Sequence, residues 1–120
     1  ILKRGKMKKI LIVDDDQKDS DSMKSILEAK GYEVLVENNG AEAIDAIDES
    51  KFDLIFIDIK MPTLSGYDLL RLLREKVDGT SKMVYVSIIP KNEVNMDAVD
   101  GFIQKPFSQE TLIQKTEALI

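Results

Sequence analysis

The chain has 120 residues, 43% of them hydrophobic, which suits one domain with a proper core and leaves no room for a second. Its 22 acidic against 17 basic side chains, net −5, argue against a non-specific nucleic-acid surface. With no Cys and no His, disulfides, Cys or His metal sites, a Ser-His-Asp triad and a phosphohistidine relay residue are all excluded, so any chemistry must run on carboxylates, lysines and hydroxyls.

Residues 1–7 read as an N-terminal extension, with Met7 a candidate natural start, and the folded domain as 8–120. The early basic run, Lys3, Arg4, Lys6, Lys8 and Lys9, reads as a solvated lead into the first strand rather than a membrane tether. Apolar runs at 10–13, 34–36, 54–57, 83–86 and 102–103 predict strands buried on both faces of a parallel sheet. Between them, helical spacing appears at Met23/Ile26/Leu27, Ala43/Ile44/Ile47, Leu69/Leu70/Leu73/Val77 and Leu112/Ile113/Thr116/Leu119. Gly31 is placed to end the first helix, Asn39-Gly40 to open the second, Gly79 to follow the third and Ser108 to cap the last. A fourth helix is expected within 87–100, but Pro90 and two Asn leave room for only a short or irregular one. The order is that of a doubly wound α/β domain with helices on both faces. No apolar run approaches the roughly 20 residues of a membrane helix, and no stretch is ordered like a signal peptide, so the chain reads as soluble and cytoplasmic, with no membrane contact.

In such a sheet, function gathers beyond the carboxyl ends of the strands. The first strand ends in Asp14-Asp15-Asp16, the third in Asp58, the fourth in Ser87, and the fifth in Lys105 after Gln104. Carboxylates crowded in a low dielectric either protonate or take up a cation. An all-oxygen set with few ligands suits Mg²⁺ better than Ca²⁺. A metal with Lys105 opposite would neutralise an incoming phosphoryl group, and Asp58 would be its nucleophilic acceptor.

The chain resembles the receiver domain of two-component response regulators. The resemblance rests on Ile-Leu-Ile-Val-Asp-Asp-Asp (10–16), on Asp58-Ile59-Lys60-Met61-Pro62 with Gly66, on Ser87, and on Phe102-Ile103-Gln104-Lys105-Pro106-Phe107. It implies a flavodoxin-like five-stranded sheet in the order 2-1-3-4-5. It further implies transfer of a phosphoryl group to Asp58 from a phosphohistidine of a sensor histidine kinase or histidine phosphotransfer protein, with an effector protein reading the result. By the same resemblance, Asp15 would bind Mg²⁺ directly, Asp14 through water, and Asp58 and the Lys60 backbone carbonyl would complete the protein ligands. Lys105 would hold the phosphoryl oxygens, Ser87 would be the switch hydroxyl and Phe102 the switch aromatic. Asp16 reads as a cap or a solvated acid, and the Lys105–Pro106 bond as cis. The domain would be a switch that assists its own modification, not a turnover enzyme.

Two departures from the family stand out. Ile88 occupies a place where the family prefers a very small residue, and is expected to crowd the phosphate pocket and slow small phosphodonors. Ser87 and Lys105 are also closer in sequence than is usual, at the expense of the fourth helix, which puts the usual signalling surface in doubt. The Lys60 side chain reads either as a charge beside the phosphate or as a solvated loop lysine. The competing reading is a degenerate receiver that binds partners without phosphorylation. A hydrolase of the aspartyl-phosphate kind would want an acid where Lys60 stands, and a flavin phosphate would want donors where this edge offers acids.

Overall fold

The computed structural model describes residues 7–77 and 79–120. The expected extension, apart from Met7, therefore lies outside the described residues, as do Lys3, Arg4 and Lys6 of the basic run. Among the described residues, strands β1 (Lys9–Val13), β2 (Glu33–Glu37), β3 (Leu54–Asp58), β4 (Lys82–Ser87) and β5 (Gly101–Gln104) alternate with helices α1 (Gln17–Ala29), α2 (Gly40–Glu49), α3 (Gly66–Lys76) and α4 (Gln109–Leu119). Every strand pairing is parallel and the sheet runs β2-β1-β3-β4-β5. This is the flavodoxin-like order that the resemblance implies.

Successive strand side chains point to opposite faces, and here both faces are covered. Leu11, Ile55, Met83 and Tyr85 pack with Ala43 and Ala46 of α2 and with Leu69, Leu70 and Leu73 of α3. Ile10, Ile12, Phe56 and Val84 meet Met23 and Leu27 of α1 and Leu112 of α4 on the other side. Burial from both sides is why these runs are apolar at every position. β2 departs from the expectation: it pairs with β1 alone, at the sheet edge, and Leu35 is 42% exposed.

Helix ends follow local chemistry. Asp16, Asn39, Ser65 and Ser108 cap the four helices, each side chain accepting from the backbone N–H three residues on. Of the two roles expected of Asp16, cap or solvated acid, it takes the cap. At the end of α1, Gly31 has φ +93°, its N–H donates to the Glu28 carbonyl, and the Tyr32 N–H donates to that of Leu27. This 5→2 and 6→1 pair is a Schellman motif, whose left-handed residue is best supplied by glycine. α3 stops at Lys76, one residue short of the expected stripe, because Val77 is already extended at φ −92°, ψ 154°.

The segment between β4 and β5 contains a single 3₁₀ turn, Lys91–Glu93, in place of a fourth α-helix. Val94, Met96 and Val99 from this irregular stretch pack on the core face that holds Tyr85 and Phe102. Arg74 of α3 holds the stretch by donating from Nε to the Ala98 carbonyl at 3.1 Å, and the Asp100 N–H reaches the Met83 carbonyl at 2.8 Å.

The first residue of α3 is pressed against the end of β3. The Gly66 N–H donates to the Ile59 carbonyl at 2.9 Å, and a Cβ at Gly66 would lie 2.4 Å from the Asp58 carbonyl oxygen and 2.7 Å from Ile59 Cα. Those neighbours are backbone and cannot swing aside. Gly66→Ala should therefore lower stability by about 1–3 kcal/mol, the scale of overpacking, as read by urea denaturation.

Candidate functional site

The register places the acids. Val13 lies opposite Ile57, so the next residues along these two neighbouring strands, Asp14 and Asp58, emerge side by side at the carboxyl edge. Asp14 and Asp58 are buried, Asp15 is exposed, and carboxylate oxygens from the three lie within 4.8 Å of one another. The backbone around Asp14 is fixed by its N–H to the Glu37 carbonyl at 3.1 Å and by the Asn38 amide, which donates to the Asp14 carbonyl at 2.8 Å. The Asp14 side chain also accepts from the Asp16 N–H at 2.9 Å.

Lys105 directly follows β5, and the Lys105–Pro106 bond after it is cis, as the resemblance implies. Its side chain is only 8% exposed, with Nζ 2.8 Å from Asp14, 2.8 Å from Asp19 and 3.6 Å from Asp58. Burial works to lower the Lys105 pKa, but its hydrogen bonds to Asp14 and Asp19 and the charges of Asp14 and Asp58 outweigh it and hold the ammonium above the usual lysine range. Asp58 shows the opposite balance. Burial first, then the Asp14 charge, raise its carboxyl from about 3.8 to about 7, against the pull of Lys105 and of the Lys60 N–H.

The remaining expected residues lie around this cluster. Ser87 is fully buried at the end of β4, and its hydroxyl accepts from the Ile89 N–H at 3.0 Å. Phe102 is buried on the face shared by Tyr85 and the irregular segment. The Lys60 N–H donates to Asp58 Oδ1 at 3.3 Å, and Lys60 is exposed, which fits a solvated loop lysine. Ile88 is 60% exposed and lines a 300 Å³ groove with Asp19, Ser22, Lys105, Pro106 and Phe107, beside the Lys105 end of the acid cluster.

The loop after Asp58 is tightly drawn. Thr63 has φ +71°, and the Leu64 N–H donates to the Pro62 carbonyl at 2.7 Å, a three-residue turn centred on a β-branched residue in the left-handed region. Two contributors were not legible as such in the sequence. Asp19 reads there as a helix first-turn acid, and nothing in one dimension brings it to Lys105. Gln104 reads as a strand end, yet its amide donates to the carbonyls of Ser87 and Ile88, both at 3.0 Å, and ties the β4 loop to β5.

Residues 10–117 match the family described as "Response regulator receiver domain". The chain belongs to that family. It is 36% identical over 116 residues to the nisin biosynthesis regulatory protein NisR of Lactococcus lactis, covering 93% of this chain and 50% of NisR. The chain thus spans about half the length of the curated relatives it matches. Among solved structures, the CheY-like receiver domain protein of Methanospirillum hungatei is 34% identical, with a TM-score of 0.87 over 94% of this chain and 93% of that one. TrrA of Thermotoga maritima, 29% identical, aligns over 95% of this chain and 100% of its own with a TM-score of 0.86; its structure is a complex with Mg²⁺ and beryllium fluoride, and another shows it bound to the histidine kinase ThkA. Receiver domains are signalling switches of two-component systems, and the three clustered carboxylates fit their acidic, metal-binding pocket. No helix among the described residues is long and apolar enough to cross a membrane.

The raised Asp58 pKa has a sign. In metal-free protein the folded state keeps a proton near pH 6 that the unfolded chain, with an Asp pKa of about 3.9, has released. The resulting stability is fully present below about pH 4 and is lost as pH rises through about 7. In EDTA, Asp58→Asn should therefore raise the melting temperature over wild type more at pH 8 than at pH 5, as followed by circular dichroism.

Proposed function

We propose that residues 8–120 form a phosphoryl-accepting receiver domain of a two-component phosphorelay, acting in the cytoplasm. The observation that carries this reading is the buried Asp58 carboxylate, clustered with Asp14 and Asp15 and faced by the Lys105 ammonium 3.6 Å away. An Asp58 oxygen attacks phosphorus, the P–N bond to the donor imidazole breaks, and the imidazole leaves with its electron pair, to be protonated by solvent. The donor is the phosphohistidine of a sensor histidine kinase or a histidine phosphotransfer protein. TrrA in its complex with ThkA supports that partner class.

The donor set is all oxygen with three carboxylates, which fits Mg²⁺. Asp15 and Asp58 would hold the ion directly, Asp14 through water, and Lys60 through its backbone carbonyl. When bound, Mg²⁺ supplies positive charge to the phosphoryl oxygens and to the crowded acids. Lys105 contributes the complementary charge from the β5 side and pulls Asp58 toward its ionised, nucleophilic form against burial and the Asp14 charge. The fixed placement of these groups replaces solvent reorganisation, which is most of what phosphoryl transfer requires.

Once modified, Asp58 bears strong acceptor oxygens and about −1.5 to −2 charges. Ser87 exchanges its contact with the Ile89 N–H for a phosphoryl oxygen, and Phe102, buried beneath the irregular β4–β5 segment, follows. That shifts a pre-existing equilibrium of the surface read by an effector protein. The domain does not itself contact nucleic acid, in keeping with its net charge of −5. The reduction of the fourth helix to one 3₁₀ turn favours a second reading, a phosphorylation-independent interaction module. Retention of Asp14, Asp15, Asp58, Ser87 and Lys105 weighs against it.

Incubation with acetyl phosphate and Mg²⁺ should add the mass of one phosphoryl group to the intact protein. Asp58→Asn or excess EDTA should abolish the adduct. A wild-type chain that gains no mass under these conditions would favour the interaction-module reading.

A further inference from the structure

Lys105 has three ammonium protons, and two are engaged at 2.8 Å by Asp14 and Asp19. Its distance to Asp58, 3.6 Å, is that of an ion pair and is too long for a hydrogen bond. Asp14 is committed to the acid cluster, whereas Asp19 stands outside it, on the first turn of α1, with its side chain 40% exposed at the edge of the groove that also holds Ser22, Ile88 and Phe107. Its backbone N–H is tied to the Asp16 cap at 3.0 Å, so the carboxylate is presented from a fixed turn.

We infer that Asp19 is a positioning residue that holds the Lys105 ammonium back from the acceptor, so that a phosphoryl group on Asp58 must take Lys105 away from Asp19. The inference rests on the phosphoryl-acceptor reading of Asp58. Two effects act in the same direction. The ion pair with Asp19 competes for donors that the phosphoryl oxygens need, and the Asp19 charge repels the incoming dianion. Both are moderated by the partial exposure of Asp19, since ion pairs open to solvent are weak. Asp19→Asn leaves Lys105 bonded to Asp14 and free to close on Asp58. Asp19→Glu keeps the charge within reach of Lys105.

Beryllium fluoride, titrated into the full chain at saturating Mg²⁺ and followed by the fluorine NMR signal of the bound species, reads this competition without turnover. Asp19→Asn should bind it about two- to fivefold more tightly than wild type, the scale of one half-exposed ion pair, with Asp19→Glu at the wild-type value. Equal or weaker binding by Asp19→Asn overturns the role of Asp19 and leaves Asp58 as acceptor. A Glu variant as tight as the Asn variant also overturns it, because retained charge would then have no effect. Absence of binding by wild type and both variants overturns the acceptor reading, and this inference with it.

Discussion

Asp14 and Asp58 are buried side by side, and one ammonium, that of Lys105, lies against both. Burial and, after it, the neighbouring Asp14 charge drive Asp58 to hold its proton, and its raised pKa is what remains after Lys105 has offset part of that pressure. The sheet creates the conflict: β1 and β3 are neighbours in register, so their terminal acids cannot separate. β5, two strands from β3, delivers the compensating cation from the far side of β4. Charge at the edge is thus held under tension by backbone pairing, and under the proposed function a bound cation or phosphoryl group would answer an imbalance already present.

The loop beyond Asp58 is held closely at both ends. Gly66 admits the start of α3 against the Asp58 and Ile59 backbone, and Gly40, where a Cβ would fall 2.4 Å from Leu64 Cδ2, admits the same loop against α2. Between these contacts Thr63 is kept at positive φ, a conformation costing on the order of 1–3 kcal/mol that persists only where its surroundings dictate it. The site therefore draws its geometry from α2 and α3 as well as from the strands.

The opposite flank is built differently. Where the β4–β5 connection has only a 3₁₀ turn, the core face is closed by Val94, Met96 and Val99 from irregular chain, anchored by Arg74 and by the Asp100 backbone. Segments with few regular backbone hydrogen bonds open at lower free energy than helices do. Phe102 belongs to the core face that this segment covers, and Ser87 is bonded to the Ile89 N–H at its start. Under the proposed function, the irregular β4–β5 connection is where a conformational response to Asp58 would be expected.

Strand positions and the caps at Asn39 and Ser108 were legible in the sequence because they depend on neighbours within a few residues. An apolar run must be covered on both faces, and a short polar side chain must satisfy free helix N–H groups, wherever the chain folds. The acids and the lysine at strand ends were legible for the same reason, once the sheet was inferred. The exposure of Leu35 was not, since being an edge strand is a property of the whole sheet. Nor was the bonding of Gln104 to the Ser87 and Ile88 carbonyls, which depends on β4 and β5 lying side by side. Asp19 is the sharpest case. In sequence it is one more acid in a helix's first turn, and only the packing of α1 beside the end of β5 sets it on Lys105. Residue types and local geometry were thus determined by the sequence itself. Which charges share a partner was decided by tertiary structure, because Coulomb interactions act through distance in space and take no account of separation along the chain.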